Sequence, residues 1–233
     1  MKVQRLRFRY CVAAAASSLS QRELVRAWET AVQAAGLMLA YSEGKRPAAQ
    51  IAVAAPLPLD VTSDWELVDV FLSEWTDPAM ALARLSASLP EGISPVAVEE
   101  VGVSAPSLQS QLRWAEYVVT IPAGGLTSES VQQAIDGLLG LDSLPAEYRR
   151  ETRVRQYDLR PLVIDLRLER QGQGCVEVAM RLRAEPERTG RADQVVAALG
   201  LPEAQHIHRR RLYLEEAQAA VLAHRRVGEP EEG

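Results

Sequence analysis

The chain has 233 residues, 47% of them hydrophobic and 24% charged. That allows one large domain or two small ones with a real core, and it excludes a disordered chain. A net charge of -5 excludes a bulk electrostatic grip on nucleic acid and leaves only a local basic face. Cys11 and Cys175, the only two cysteines, cannot build a disulfide framework, a zinc site or an iron–sulfur cradle. Isolated thiols fit a reducing cytosol, so a cytoplasmic protein is expected. No apolar run approaches the roughly 20 residues that span a bilayer, so no membrane segment is expected.

Lys2, Arg5, Arg7 and Arg9 ahead of the Ala13–Ala16 run imitate a leader peptide. Their alternation with Val3, Leu6, Phe8 and Tyr10 instead predicts a half-buried strand over Val3–Val12. Ser20 and Glu23 form a capping box, and Leu24, Ala27, Trp28, Ala31 and Ala35 follow at helical spacing, so a helix runs from about Gln21 to Ala35. Tyr41–Pro47 reads as a loop, Gln50–Ala55 and Trp65–Trp75 as strands. Asp77-Pro78 starts a second helix, and Val96–Val101 closes the unit as a strand. The order β-α-β-β-α-β is the ferredoxin-like, split βαβ signature.

After a Gly/Pro/Ser linker at Gly102–Ser110, a second such unit follows. It comprises a strand at Leu112–Ile121, a helix at Ser130–Leu139, and a hairpin of Leu159–Arg170 with Cys175–Arg183 about the turn Gln171–Gly174. A helix at Ala192–Leu199 and a strand at Ile207–Leu214 complete it. The expected fold is therefore α+β: two ferredoxin-like units in tandem, over 1–103 and 111–216, with antiparallel sheets and helices on one face. A helical, then acidic, tail occupies 217–233.

Period-two alternation puts Arg5, Arg7 and Arg9 on one strand face, about 7 Å apart. Guanidinium forks suit phosphates and carboxylates, so this face reads either as a surface for RNA or an acidic partner, or as a ladder of ion pairs with Glu66, Asp69 or Glu74. Sheets that read RNA interleave aromatics with the basic residues, whereas Phe8 and Tyr10 fall on the opposite face. Arg209, Arg211 and Tyr213 repeat the theme near the end of the chain, and Arg149, Arg150, Arg153 and Arg155 form another basic stretch. The loop at Ser42, Gly44, Lys45 and Arg46 could hold an anion through backbone N–H groups and two cations, without a P-loop pattern. His206 and His208 share a strand face but have no third or fourth metal ligand in the sequence, and His224 lies in the tail. No nucleophile–histidine–acid motif is readable, and no cofactor is implied.

Three stretches resemble a known family: Gln4-Arg5-Leu6-Arg7-Phe8, Leu19-Ser20-Gln21-Arg22-Glu23-Leu24-Val25-Arg26, and Leu39-Ala40-Tyr41-Ser42-Glu43-Gly44-Lys45-Arg46-Pro47 continuing through Pro56-Leu57-Pro58-Leu59. They resemble the bacterial radical SAM-linked proteins of unknown function, which accompany or are fused to a radical SAM protein with a B12-binding-type domain. Leu159–Val163 and Arg191–Val195 look familiar too, so the resemblance covers nearly the whole chain. In the family's pattern histidine stands at the position of Gln21, aspartate at Glu23, phenylalanine and asparagine at Lys45 and Arg46, and proline at Ala49. Arg26 matches the family's arginine. If those positions form a site in relatives, this chain has altered it, since Gln21 cannot act as a general acid or base.

The resemblance implies an accessory protein whose partner is a radical SAM enzyme. Neighbouring ribonuclease and ribosomal-protein genes in the family imply a link to RNA. Three functions are in competition: a binding module using Arg5, Arg7, Arg9 and the Ser42–Pro47 loop together with Gln21, Glu23 and Arg26; an RNA-processing enzyme of the tandem ferredoxin-like type; and an interaction protein that oligomerises through its sheet. A histidine in a basic cleft would favour the second, and light scattering would identify the third.

Overall fold

The computed structural model describes residues 1–150, 153–172 and 174–215, with the side chains of 148–150 and 153–155 outside that description. The first unit contains β1 (Gln4–Val12), α1 (Gln21–Ala34), β2 (Ile51–Val53), β3 (Val61–Leu72), α2 (Pro78–Ser88) and β4 (Ile93–Val101). β1 lies between β4 and β3, antiparallel to both, and β2 pairs antiparallel with the far half of β3. This is the split βαβ arrangement that the order of elements predicts.

The second unit follows a short helix, α3 (Leu108–Gln111). It contains β5 (Leu112–Pro122), α4 (Ser128–Leu139), β6 (Pro145–Arg150), β7 (Arg153–Asp158), β8 (Val163–Gly172), β9 (Cys175–Glu185), β10 (Arg188–Thr189), α5 (Ala192–Ala198) and β11 (His206–Leu214). β5 lies between β11 and β9, and β8 flanks β9, so the same topology recurs with the β6–β7 hairpin inserted.

The two units share one sheet. β11 pairs parallel with the start of β3 through Ile207–Val61, His208–Thr62 and Arg209–Ser63, giving nine strands in all. Helices cover one face. Leu6, Phe8 and Tyr10 pack beneath Trp28 of α1, with ring centroids 5.6 Å (Phe8) and 5.2 Å (Tyr10) from the indole. In the second unit Tyr117, Val119 and Ile121 of β5 and Val178, Met180 and Leu182 of β9 are buried against Val131, Ile135 and Leu138 of α4 and Val195 of α5.

Local signals act as written in the sequence. Ser20 and Glu23 close the capping box of α1, and Asp77 caps α2 with Pro78 at its first position. Three expectations need correction. The third strand begins at Val61 rather than Trp65 and ends at Leu72, so Trp75 lies beyond it and is 62% exposed. The linker holds the one-turn helix α3, capped by Ser107. Arg160–Leu162 forms a 3-10 turn around Pro161, which cannot donate to a ladder, so β8 starts at Val163. The tail expected over 217–233, with His224, lies outside the described residues, as do Gln173 and the side chains of Arg149, Arg150, Arg153 and Arg155.

Candidate binding face of the sheet

Residues directly opposite each other on paired strands point to the same side. The face away from the helices therefore carries Arg5, Arg7 and Arg9 of β1, with Phe71, Asp69 and Leu67 of β3 opposite them. It continues through His206, His208, Arg211 and Tyr213 of β11 and Thr120, Val118, Glu116 and Trp114 of β5. A register shift between Tyr10 and Val12, opposite Glu66 and Ser63, lets the neighbours Asp64 and Trp65 both reach this face.

At the first-unit end the face is closed. Arg5 is 2% exposed and Arg7 7%, and both bind one carboxylate, Asp69, which is fully buried. Arg5 donates to Asp69 Oδ2 at 2.6 and 3.0 Å, and Arg7 to Oδ1 and Oδ2 at 2.8 and 3.2 Å. The linker lies over Arg5, which also donates to the Ala105 and Pro106 carbonyls at 2.8 and 3.0 Å. For Arg5 and Arg7 the ion-pair alternative holds in place of an open surface, because the cross-strand partner of Arg7 is itself an acid, Asp69.

Arg9 behaves differently. It is half-buried, has no ion pair among the described residues, and places its guanidinium 4.0 Å from the Trp65 ring centroid. Arg211, exposed on β11, reaches the same ring at 4.2 Å and the Tyr213 ring at 4.9 Å. Tyr213 stacks on Trp114 at 5.4 Å and 23°. From β1 to β5 the face reads Arg9, Trp65, Arg211, Tyr213, Trp114, cations alternating with aromatic rings across the joint between the units.

Beyond this ladder Glu116 and Arg210 each have a partner of opposite charge. Glu116 accepts from Arg181 at 2.7 and 3.1 Å and from the Tyr213 hydroxyl at 2.9 Å. Partial burial pushes the Glu116 carboxyl up, but these bonds outweigh it and hold it below its usual range. Burial and the bond to Glu116 push the Tyr213 hydroxyl up. Arg210 reaches past β5 and β9 to Glu169 of β8 at 2.7 Å, so this part of the face is concave.

On the helix side of the joint, Arg209 is buried against Glu66, with its Nε 2.7 Å from Glu66 Oε1. Burial alone would lower Arg209, but the Glu66 charge more than offsets this and raises it. Ser63 donates to Glu66, and Pro56 supplies a carbonyl to Arg209.

The other expected site residues lie elsewhere. Gln21, Glu23 and Arg26 are exposed on α1, over the opposite face. The Glu23 carboxylate is occupied by Ser20, bonds that lower its pKa. The loop is closed by Ser42, whose backbone N–H donates to the Ala48 carbonyl and whose hydroxyl accepts from the Ala48 N–H. It is tied to the far end of α1 by Tyr41, whose hydroxyl meets Gln33 at 2.7 Å. Gln33 lies about 18 Å along the helix from Gln21. Gly44, Lys45 and Arg46 are exposed there. The structure therefore does not gather Gln21 and Glu23 with Lys45 and Arg46, or either group with Arg9. The alternation of Trp65, Tyr213 and Trp114 with arginine needs the pairing of β11 with β3.

Among the described residues no group of three or more His, Cys, Asp or Glu side chains could hold a metal ion. No helix among them is long and apolar enough to cross a membrane.

A tandem ferredoxin-like α+β protein with one shared sheet is the class these features define. Residues 5–191 match the family described as "uncharacterized protein conserved in bacteria (DUF2344)", and the chain belongs to that family. No curated protein matches it. Among solved structures it is similar to a chain of a Cbf5–Nop10–Gar1 complex, with 14% identity over 91% of this chain and a TM-score of 0.48. It is also similar to a chain of an H/ACA RNP bound to a substrate RNA containing 2'-deoxyuridine, with 14% identity over 91% of this chain and a TM-score of 0.44. The chain spans about half the length of these two solved chains, 51% and 50%.

Proposed function

We propose that the protein is an accessory binding module that holds unpaired RNA on the open sheet face and serves a radical SAM enzyme. The observation that carries the RNA part is the Arg9–Trp65–Arg211–Tyr213–Trp114 ladder. Aromatic rings offer stacking surfaces to any base, and guanidinium groups without a carboxylate partner remain free to meet phosphates. The acidic chain as a whole gives no bulk attraction, so binding is confined to this strip. Resemblance at Leu19–Arg26 and Leu39–Pro47 supports the radical SAM partner. Those segments lie on the helix face and its loop, away from the ladder, so one molecule can meet RNA and an enzyme on opposite sides.

Binding of a fluorescent 12-nucleotide oligouridine to the full chain, measured by anisotropy at two salt concentrations, tests the RNA part. Salt-sensitive binding that Trp65→Ala weakens supports it, and no binding by the unaltered protein overturns it. Co-purification with a radical SAM protein, lost on Lys45→Glu/Arg46→Glu and kept in Trp65→Ala, tests the other part.

A further inference from the structure

Beside the ladder, four polar side chains form one hydrogen-bonded chain across the joint. His208 Nε2 lies 3.0 Å from Asp64 Oδ2, His208 Nδ1 2.7 Å from Thr62 Oγ1, and Thr62 Oγ1 2.8 Å from His206 Nε2. The two imidazole centroids are 6.1 Å apart. The four groups differ in access: Asp64 is 72% exposed, His208 22%, and His206 is exposed.

Proton counting fixes the neutral state of this chain. An ionised Asp64 only accepts, so His208 Nε2 carries the hydrogen. Nδ1 of a neutral His208 then accepts, so Thr62 donates to it, and the Thr62 oxygen accepts from Nε2 of His206. Nδ1 of His206 is left with a bare lone pair and no protein partner among the described residues. In this state the cluster carries one net negative charge, on Asp64, and presents only acceptors to solvent. With both rings protonated the cluster carries one net positive charge, and His206 Nδ1–H becomes a donor. Thr62 can accept from both rings, so the chain stays bonded in either state.

Neighbouring charges leave that reversal intact. On β1, Cys11 donates to the Asp64 carbonyl at 3.2 Å, and burial followed by the Asp64 charge pushes its thiol up, so it adds no charge. Arg9 is turned onto Trp65. Thr120 and Val118 of β5 stand opposite His206 and His208, and Glu177 of β9, opposite Thr120, is held by Arg170. Arg210 is held by Glu169, and Arg209 and Glu66 neutralise each other on the helix side.

We propose that His206, Thr62, His208 and Asp64 form a protonation-gated phosphate site on the open face: closed to anions when the rings are neutral, and gripping a phosphate oxygen through His206 when they are charged. Its natural ligand, a backbone phosphate of the strand stacked on the ladder, rests on the RNA reading of that face. Asp64 adjoins Trp65 in sequence, so a phosphate held at His206 and a base stacked on the ladder can belong to one short strand.

The test uses the full chain and sulfate, whose charge is constant across the histidine range. Ring proton–nitrogen correlations of the histidines are followed by NMR as sulfate is added at pH 5.5 and pH 7.5. Saturable shifts of His206 at the lower pH, with binding weaker by about tenfold or more at the higher, are expected for one charge-assisted hydrogen bond gained. His206→Gln removes the response. Its fold is expected to persist, since His206 is exposed and Thr62 keeps its bond to His208. Equal sulfate binding at both pH values, or none, overturns the site.

Oligouridine binding forms a separate arm. The site predicts that the slope of log affinity against log salt steepens by about 0.7 at pH 5.5 in the unaltered protein, one phosphate's worth for a single strand, and not in His206→Gln. Oligouridine binding without that steepening overturns the site and leaves the RNA face standing. A sulfate response with no oligouridine binding overturns RNA as the ligand and leaves the anion site.

Discussion

Arg7 and Arg9 are two residues apart on one strand face, yet they meet opposite fates. Arg7 lies across from Asp69, which it shares with the linker-covered Arg5, and its charge is spent inside the protein. Arg9 lies across from Leu67 and turns onto Trp65, where no carboxylate competes for it. The difference shows that an arginine on a sheet becomes structure or surface according to its cross-strand neighbour and to what covers it, not according to its own strand.

That contrast can be broken at either end. The largest effect is expected from Asp69→Ala, which leaves two buried guanidinium groups without their shared carboxylate. A loss of about 3–5 kcal/mol in urea denaturation is expected, and Arg5→Glu/Arg7→Glu should unfold the protein rather than produce a folded, non-binding one. Trp65→Ala should move the urea midpoint far less but cost about 1–3 kcal/mol of oligouridine affinity, the value of one stacked base. Arg211→Glu, at an exposed position, should leave stability nearly unchanged and flatten the salt dependence of binding by about 0.7 in slope, one phosphate contact.

The smallest effect concerns Glu116. Its folded pKa lies below the unfolded value of 4.5, so its stabilisation is fully present above that value and fades as pH falls through the folded one. Glu116→Gln should flatten the stability profile below about pH 4.5, read from thermal midpoints in acid, and change little at pH 7. A steep acid profile retained in Glu116→Gln would place that dependence elsewhere.

Much of the fold is written locally. The Ser20–Glu23 box, Asp77-Pro78 and the Gly-rich turn before Cys175 each set an element end by contacts within a few residues. The β6–β7 hairpin was not legible, because its arginine-rich strands carry no run of alternating apolar residues. The fate of the arginines was half legible: Asp69 stands among the foreseeable partners, but the carbonyls of Ala105 and Pro106 that cover Arg5 come from about a hundred residues away. Of the ladder only the Arg211–Tyr213 pair was legible, from its spacing of two on one strand, since Trp65 and Arg211 meet only through the three-residue pairing of β11 with β3.

That pairing has a consequence for how the protein is made. β3 leaves the ribosome long before β11, the last strand described, can reach it. Until then the nascent first unit presents the Val61–Ser63 backbone as a bare edge and carries Glu66 without Arg209. A growing chain in that condition offers other strands a template for pairing. Stalling translation before residue 206 should therefore yield a first unit that binds chaperones or clumps, and release of the last strand should cure it.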